Sequence, residues 1–279
     1  MVFWPTNKFN LQIKIMKKSI IQGVISIGLF FGMWFSLKEI DWVGIFKVEK
    51  ITDKTEQKLG DIFWEGIKKT EQENKNTDVT HAIDSIVNHI CQSNNIDIEK
   101  LNVHVIMKDE INAFALPNGH LVIYSGLILN ADNQDELAGV ICHEIAHIEL
   151  NHVMKKLTKE IGLSVLISIT TGNGGTEVIK QTLKTLSSSA FDRSLEKEAD
   201  MKAVDYLINA NINPNNFANF LYKISETDSN IEGYITWVST HPESKERANY
   251  IIEQSKGKLK QFKSILSNDT WNTLKKRVE

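Results

Sequence analysis

His143-Glu144-Ile145-Ala146-His147 sets two imidazoles four residues apart with a carboxylate beside the first. On an α-helix, residues four apart share a face, so both rings can reach one metal ion while Glu144 flanks it. That is the arrangement of a zinc hydrolase, with Glu144 placed as general base. Two histidines leave zinc needing a third protein ligand, and a carboxylate from a second helix is a usual supply. Glu196 and Asp200, again four apart, open a run that continues with Ala203, Val204 and Leu207. If Glu196 binds the metal, Asp200 on the same face can accept the spare imidazole N–H of His143 and fix its tautomer. Glu198 would then point elsewhere. His152, nine positions after His143, is expected on the far side of one continuous helix and not as a ligand.

Several elements must position these residues. The helix of the metal motif is expected to begin near Asn133 or Gln134, because Asn133 with Glu136 three residues on is an N-cap signature. Its apolar face is Leu137, Val140, Ile141 and Ile148, and it is expected to run to Lys159. Upstream, Val103, Val105 and Met107 alternate with His104 and Ile106, which predicts a strand. Pro117-Asn118-Gly119 separates two strand-like runs within residues 111–126, which predicts a β-hairpin. That hairpin is either scaffold or an edge that pairs with an extended peptide, holding it by main-chain hydrogen bonds irrespective of side chains. On the second reading Asn112, Ala113, Phe114 and Ala115 bind substrate, with Asn112 and Ala113 facing the bond to be cut. Helices are also expected over Leu59, Ile62, Phe63 and Ile67, and over Ile83, Ile86, Val87 and Ile90, the latter capped by Asp78 or Thr80. His81 and His89 on that helix read as surface or core-edge residues. Residues 161–169 are apolar but too short to span a bilayer and read as a buried helix. The glycine-rich residues 171–176 lack phosphate-loop spacing and read as a flexible connection beside the site.

Four stretches together resemble the M48 zinc metallopeptidases. They are Asn112-Ala113-Phe114-Ala115-Leu116-Pro117 with Gly119-His120, then HEIAH with Asn151-His152, then Glu196 with Asp200, and last Ser239-Thr240-His241-Pro242. The likeness covers roughly residues 75–250. It implies an α+β fold of the gluzincin type: a mostly helical zincin-like metallopeptidase domain with a small antiparallel β-sheet beside the HExxH helix. It also implies Glu196 as third ligand to one Zn2+ per chain. For His241 it implies either a removable fourth ligand, a latency switch, or a hydrogen-bond donor to the oxyanion. Arg247, on the helix beyond Pro242, is a further polar neighbour. Neither assignment follows from spacing.

The flanks suggest a location. Residues 1–18 carry Lys8, Lys14, Lys17 and Lys18 and no acid, and Met16 is an alternative start. Residues 19–37 then run nineteen positions without a charge, about 28 Å as a helix against a hydrocarbon core of ~30 Å. We read one N-terminal transmembrane helix, with the basic end cytoplasmic and the rest beyond the inner membrane in the periplasm. A cleaved signal segment leaving a soluble periplasmic protein is the alternative. The remaining organisation is a helical linker region at 38–77, the metallopeptidase domain at 78–255 and a basic C-terminal helix at 256–279, read as solvated. A net charge of −3 gives no reason to expect nucleic acid as a partner. Cys91 and Cys142, far apart and outside any CxxC pattern, suggest neither a disulfide framework nor a thiolate zinc site.

These readings converge on a zinc metalloendopeptidase acting on extended polypeptide. Zinc would lower the pKa of its bound water and polarise the scissile carbonyl, and Glu144 would take the water's proton and pass it to the leaving amine. The resemblance implies misfolded or misassembled envelope proteins as substrates. A protein-binding or chaperone-like role, with the zinc site kept shut by His241, is the alternative.

Overall fold

The computed structural model describes residues 6–38, 53–226, 237, 239–242, 244–258 and 261–279. The chain divides into two compact units, Met1–Lys50 and Ile51–Glu279. The first contains a single described helix, α1 (Thr6–Lys38), which runs unbroken through the uncharged stretch. Ile20, Val24, Leu29, Phe30 and Trp34 are all exposed on it. Among the described residues no helix is long and apolar enough to cross a membrane.

The second unit begins with α2 (Asp53–Lys68) and α3 (Thr77–Asn94). Next come β1 (Asn102–Ile106), β2 (Ala113–Leu116) and β3 (His120–Tyr124), then α4 (Ser125–Asn130), α5 (Gln134–Glu149) and α6 (His152–Glu160). The helices α7 (Leu163–Thr170), α8 (Thr176–Ser188), α9 (Arg193–Asn209), α10 (Pro214–Glu226), α11 (Ser244–Ser255) and α12 (Asn268–Arg277) complete it.

The sheet has three strands in the order β1-β3-β2. The hairpin is where the turn residues place it: β2 and β3 pair antiparallel with Leu116 opposite His120, and Asn118 and Gly119 both take positive φ in the turn. Gly119 cannot be replaced there, because a Cβ would stand 1.9 Å from the Lys100 carbonyl oxygen. The expected purely antiparallel sheet is corrected to a mixed one, since β1 joins β3 in parallel, from Asn102 opposite His120 to Ile106 opposite Tyr124. Alternation marks β1 as a strand. It carries no signal for a partner that follows only after the intervening β2.

Two apolar cores flank this sheet. Leu121 and Ile123 face a cluster with Ile83, Ile86 and Ile90 of α3, Leu137, Val140 and Ile141 of α5, and Ala203 and Leu207 of α9. Val122 and Tyr124 face the other way, with Leu59 and Phe63 of α2, Leu157 of α6 and Leu166 of α7. The period-2 alternation of β3 thus serves both cores.

Three expectations about single elements change. Asn76 caps α3, its side chain accepting from the Asp78 N–H, in place of Asp78 or Thr80. The short apolar helix α7 is half-exposed: Leu166 and Ile169 are buried, but Leu163 and Ile167 face outward. The basic C-terminal helix α12 is docked, not merely solvated. Leu274 and Val278 are buried in the first core, and Arg277 Nε lies 3.1 Å from Asp78 Oδ2 on α3. Cys91 and Cys142 are free and buried. His81 is exposed, and His89 Nε2 lies 2.7 Å from the Ala210 carbonyl oxygen.

Candidate metal centre

Asn133 caps α5 with its side-chain oxygen accepting from the N–H groups of Asp135 and Glu136. Glu136 reaches back to the Asp132 N–H. These contacts satisfy orphan donors at the first turn and fix where the helix enters the core. Along α5 every residue from Glu136 to His147 is buried, with Gly139 lying against Phe217 of α10. His143, Glu144 and His147 are therefore held in the interior.

The helix does not continue to Lys159. It ends at Glu149, and Asn151 turns the chain through the left-handed region at φ 60°. His152 is thereby brought back to the metal face, with its Nδ1 3.0 Å from His147 Nδ1. The expected far-side placement is wrong because it assumed a continuous helix. His152 remains outside the group of ligand atoms, and so does Glu198, which points to the exposed side of His152, its Oε2 3.3 Å from His152 Nε2.

The ligand atoms of His143, His147, Glu196 and His241 all lie within 4.8 Å of one another, and all four side chains are buried. His147 Nε2 is 3.0 Å from His143 Nε2, which is 3.2 Å from His241 Nδ1. Glu196, from the first turn of α9, places Oε1 3.1 Å from His241 Nδ1 and 3.4 Å from His147 Nε2. Its Oε2 is 3.6 Å from His143 Nε2. One helical turn on, Asp200 Oδ1 lies 2.9 Å from His143 Nδ1. Arg247 of α11 donates from Nε and Nη2 to the two Asp200 oxygens at 2.7 Å each, and its Nη1 lies 2.7 Å from Glu196 Oε2.

The electrostatics follow from burial and from this cation. Burial holds His147 and His241 down at about 4, and lowers His143, with His147 adding to the effect there. Three neutral rings at neutral pH present lone pairs, the form in which imidazole binds metal. Burial opposes ionisation of Glu196 and Asp200. His241 and Arg247 outweigh it at Glu196, and Arg247 and His143 at Asp200, so both carboxyls stay well below their usual range. Burial, and then the Glu196 carboxylate, push Glu144 well above it.

The residues fit a divalent cation. One ion satisfies at once the three ring nitrogens and the carboxylate that converge here, a donor set suited to zinc. Glu144 supplies a second indication: both its carboxylate oxygens are buried with no hydrogen-bond partner. Its Oε1 lies 3.4 Å from His241 Nε2.

The substrate-strand residues lie beside this centre. In β2 the pair Asn112 and Tyr124 is hydrogen-bonded, Tyr124 N–H donating to the Asn112 carbonyl. Pairs alternate along an antiparallel ladder, so the main-chain groups of Ala113 and Ala115 point away from β3, toward the sheet edge that no further strand pairs among the described residues. The strand is buried and packs against α5. The Asn112 side chain is buried with neither its oxygen nor its nitrogen partnered. Phe114 points into the second core, edge-on to Tyr124.

Other side chains complete the shell. Trp237 stacks on His241 with ring centroids 4.2 Å apart, and Phe191 stacks on His147 at 4.0 Å. Tyr250 donates its hydroxyl to Asp200. Tyr250 follows Arg247 by three, a helical spacing that marks it as a neighbour on the same face. Trp237 precedes His241 by four, and the His241 N–H donates to its carbonyl, so helical spacing marks it as well; Phe191 carries no such signal, since it arrives from the connection between α8 and α9.

The sequence profile of peptidase family M48 matches residues 77–254. The chain belongs to that family. It is 30% identical over 186 residues to the metalloprotease LoiP of Escherichia coli strain K12, covering 64% of this chain and 71% of LoiP. It is 26% identical to the beta-barrel assembly-enhancing protease of Yersinia pestis, covering 59% of this chain and 36% of that protein. It is also 26% identical to the mitochondrial metalloendopeptidase OMA1 of Schizosaccharomyces pombe, covering 63% of this chain and 53% of OMA1. The chain thus spans about a third to a half of the latter two. As an M48 peptidase it is a zinc metalloendopeptidase, a hydrolase.

Proposed function

We propose that His143, His147 and Glu196 hold one Zn2+, that Glu144 is the general base, and that extended polypeptide is cut after pairing with β2. The observation that carries this is the meeting of four buried ligand atoms beside a buried, unpartnered carboxylate. Zinc bound there supplies a positive charge that polarises a carbonyl and acidifies water. Glu144 takes a proton from the attacking water and delivers it to the leaving amine, a task suited to a carboxyl whose proton affinity burial has raised. Asp200, itself held by Arg247 and Tyr250, fixes the His143 ring. Ala113 and Ala115 receive the main chain of the substrate and Asn112 meets it at the end of the strand, so recognition is largely independent of substrate side chains.

Replacing Glu144 by Gln tests the reading. Casein cleavage by purified, zinc-loaded protein should be abolished while bound zinc stays at one per chain. Cleavage near the wild-type rate would remove Glu144 from the mechanism.

A second reading has its own support. His241 lies among the ligand atoms and also faces Glu144, and the whole centre is buried. A fourth protein ligand occupies the position that water needs, so His241 acts as a latch, and the closed form is a binding protein rather than a protease.

For location and substrate, the reading is a single-pass anchor at residues 19–37 with the catalytic unit in the periplasm, acting on misfolded envelope proteins. It is supported by the uncharged run, its helical form in α1, the lysines before it and the likeness to a beta-barrel assembly-enhancing protease. Protease accessibility in spheroplasts tests it: protection of the catalytic unit would place that unit in the cytosol instead.

A further inference from the structure

On the Phe114 face of the sheet, away from the metal helix, α2 and α8 bound a groove of about 540 Å³. Its walls are apolar: Ile62 and Ile67 from α2, Phe114 and Tyr124 from the sheet, and Ile179 and Leu183 from α8. Gly66 of α2 keeps it wide where the helices approach, since a Cβ there would stand 2.9 Å from Leu183 Cδ1. On the α8 side of its rim Lys180 and Lys184 are exposed and, among the described residues, neither has a carboxylate within ion-pair distance, whereas the opposite side is mixed, with Lys69 accompanied by Asp61, Glu65 and Glu71. Lys108, also on the rim, is already engaged by Glu110 at 2.9 Å and Glu71 at 3.6 Å.

The strand register links this groove to the reaction. A peptide paired with the main-chain groups of Ala113 and Ala115 continues the pleat of β2, and cross-strand neighbours project to the same face. Substrate side chains therefore alternate. Those beside Ala113 and Ala115 point to one face, and the one opposite Phe114 points to the groove's face. An apolar cavity of this size takes a large side chain, and Lys180 and Lys184 on the α8 side of its mouth complement acidic neighbours.

We propose that this groove selects substrates, favouring extended segments that carry a bulky apolar residue flanked by acidic ones. The inference rests on the peptidase reading with β2 as the substrate strand. It makes Leu183, Ile179, Lys180 and Lys184 specificity residues that lie on α8, outside the metal centre.

The test uses the full chain loaded with zinc and quenched-fluorescent peptides differing at one position, Phe or Ser, with either Asp or Lys on both sides. Wild type should favour Phe over Ser by about tenfold in kcat/KM, the effect of burying one such side chain. It should favour Asp flanks over Lys flanks by about threefold, as expected of exposed charge pairs. Leu183→Arg should erase the first preference, and Lys180→Glu with Lys184→Glu should invert the second. Unchanged ratios in these variants would overturn the groove while leaving the peptidase intact, with casein cleavage as the separate check on the latter. If neither peptides nor casein are cut, the peptidase reading fails. The groove is then decided by anisotropy with Glu144→Gln protein, where the same ratios should appear in Kd and equal Kd values across the peptides would refute it.

Discussion

Arg247 grips Asp200 through two hydrogen bonds of 2.7 Å, from Nε and Nη2, with both side chains buried. The same guanidinium reaches Glu196 through Nη1, so one cation holds two carboxylates of α9 in register with the rings of α5. Arg247→Ala leaves those charges uncompensated in the interior and should cost about 3–5 kcal/mol, read by urea unfolding. Arg247→Lys keeps the charge but not the planar fork, and should recover only part of that loss.

Asp200→Asn tests positioning apart from stability. With the carboxylate gone, His143 loses the partner 2.9 Å from its Nδ1. Zinc affinity should fall about 10–100-fold in chelator competition, with the circular dichroism spectrum unchanged. Affinity equal to wild type would mean that Asp200 serves only to anchor Arg247.

His241→Ala separates the two roles open to that residue. Its Nδ1 lies with the ligand atoms, 3.1 Å from Glu196 Oε1, which favours the latch. Casein cleavage should then rise, on the order of tenfold for about 1.4 kcal/mol of competing ligation removed. A fall of similar size would assign His241 to the oxyanion.

Gly139 sits on the metal helix where an added Cβ would stand 2.4 Å from Phe217 Cβ. Gly139→Ala should therefore destabilise by about 1–3 kcal/mol through overpacking, despite the better helix propensity of alanine. Phe217→Ala in the same chain removes Cγ and Cδ2 but keeps the Cβ, and should restore only part of it. Thermal melts of the two single variants and the double variant would measure the coupling.

A pH effect on stability is expected away from the metal. His104 Nε2 lies 2.9 Å from His120 Nδ1, and Trp64 stacks on the His104 ring. Burial, and then His104, hold His120 down at about 4 from an ordinary value of 6.5. Protonation is therefore easier in the unfolded chain. The contribution of His120 is complete above pH 6.5 and declines as pH falls from 6.5 toward 4, where it levels off. His120→Gln should flatten that decline in urea titrations at about pH 7, 5.5 and 4.5. Parallel curves for the two proteins would assign the loss to other groups.

The local features were legible because short-range rules decide them. Helical spacing put His143, Glu144 and His147 on one face and Glu196 and Asp200 on another. Turn residues fixed the hairpin, and Asn133 marked the start of α5. Chain length, charge and apolar period sufficed for these. Contacts between distant segments were not legible in this way. Only the folded chain could join β1 in parallel to β3, turn His152 back onto His147 through a left-handed Asn151, or lay Phe191 on the His147 ring. Only there does Arg247, 47 residues after Asp200, close on it, and α8 rise beside β2 to make a groove. The reason is physical: propensity and periodicity act over a few residues, whereas packing of two cores on one sheet selects among many pairings that no local pattern distinguishes.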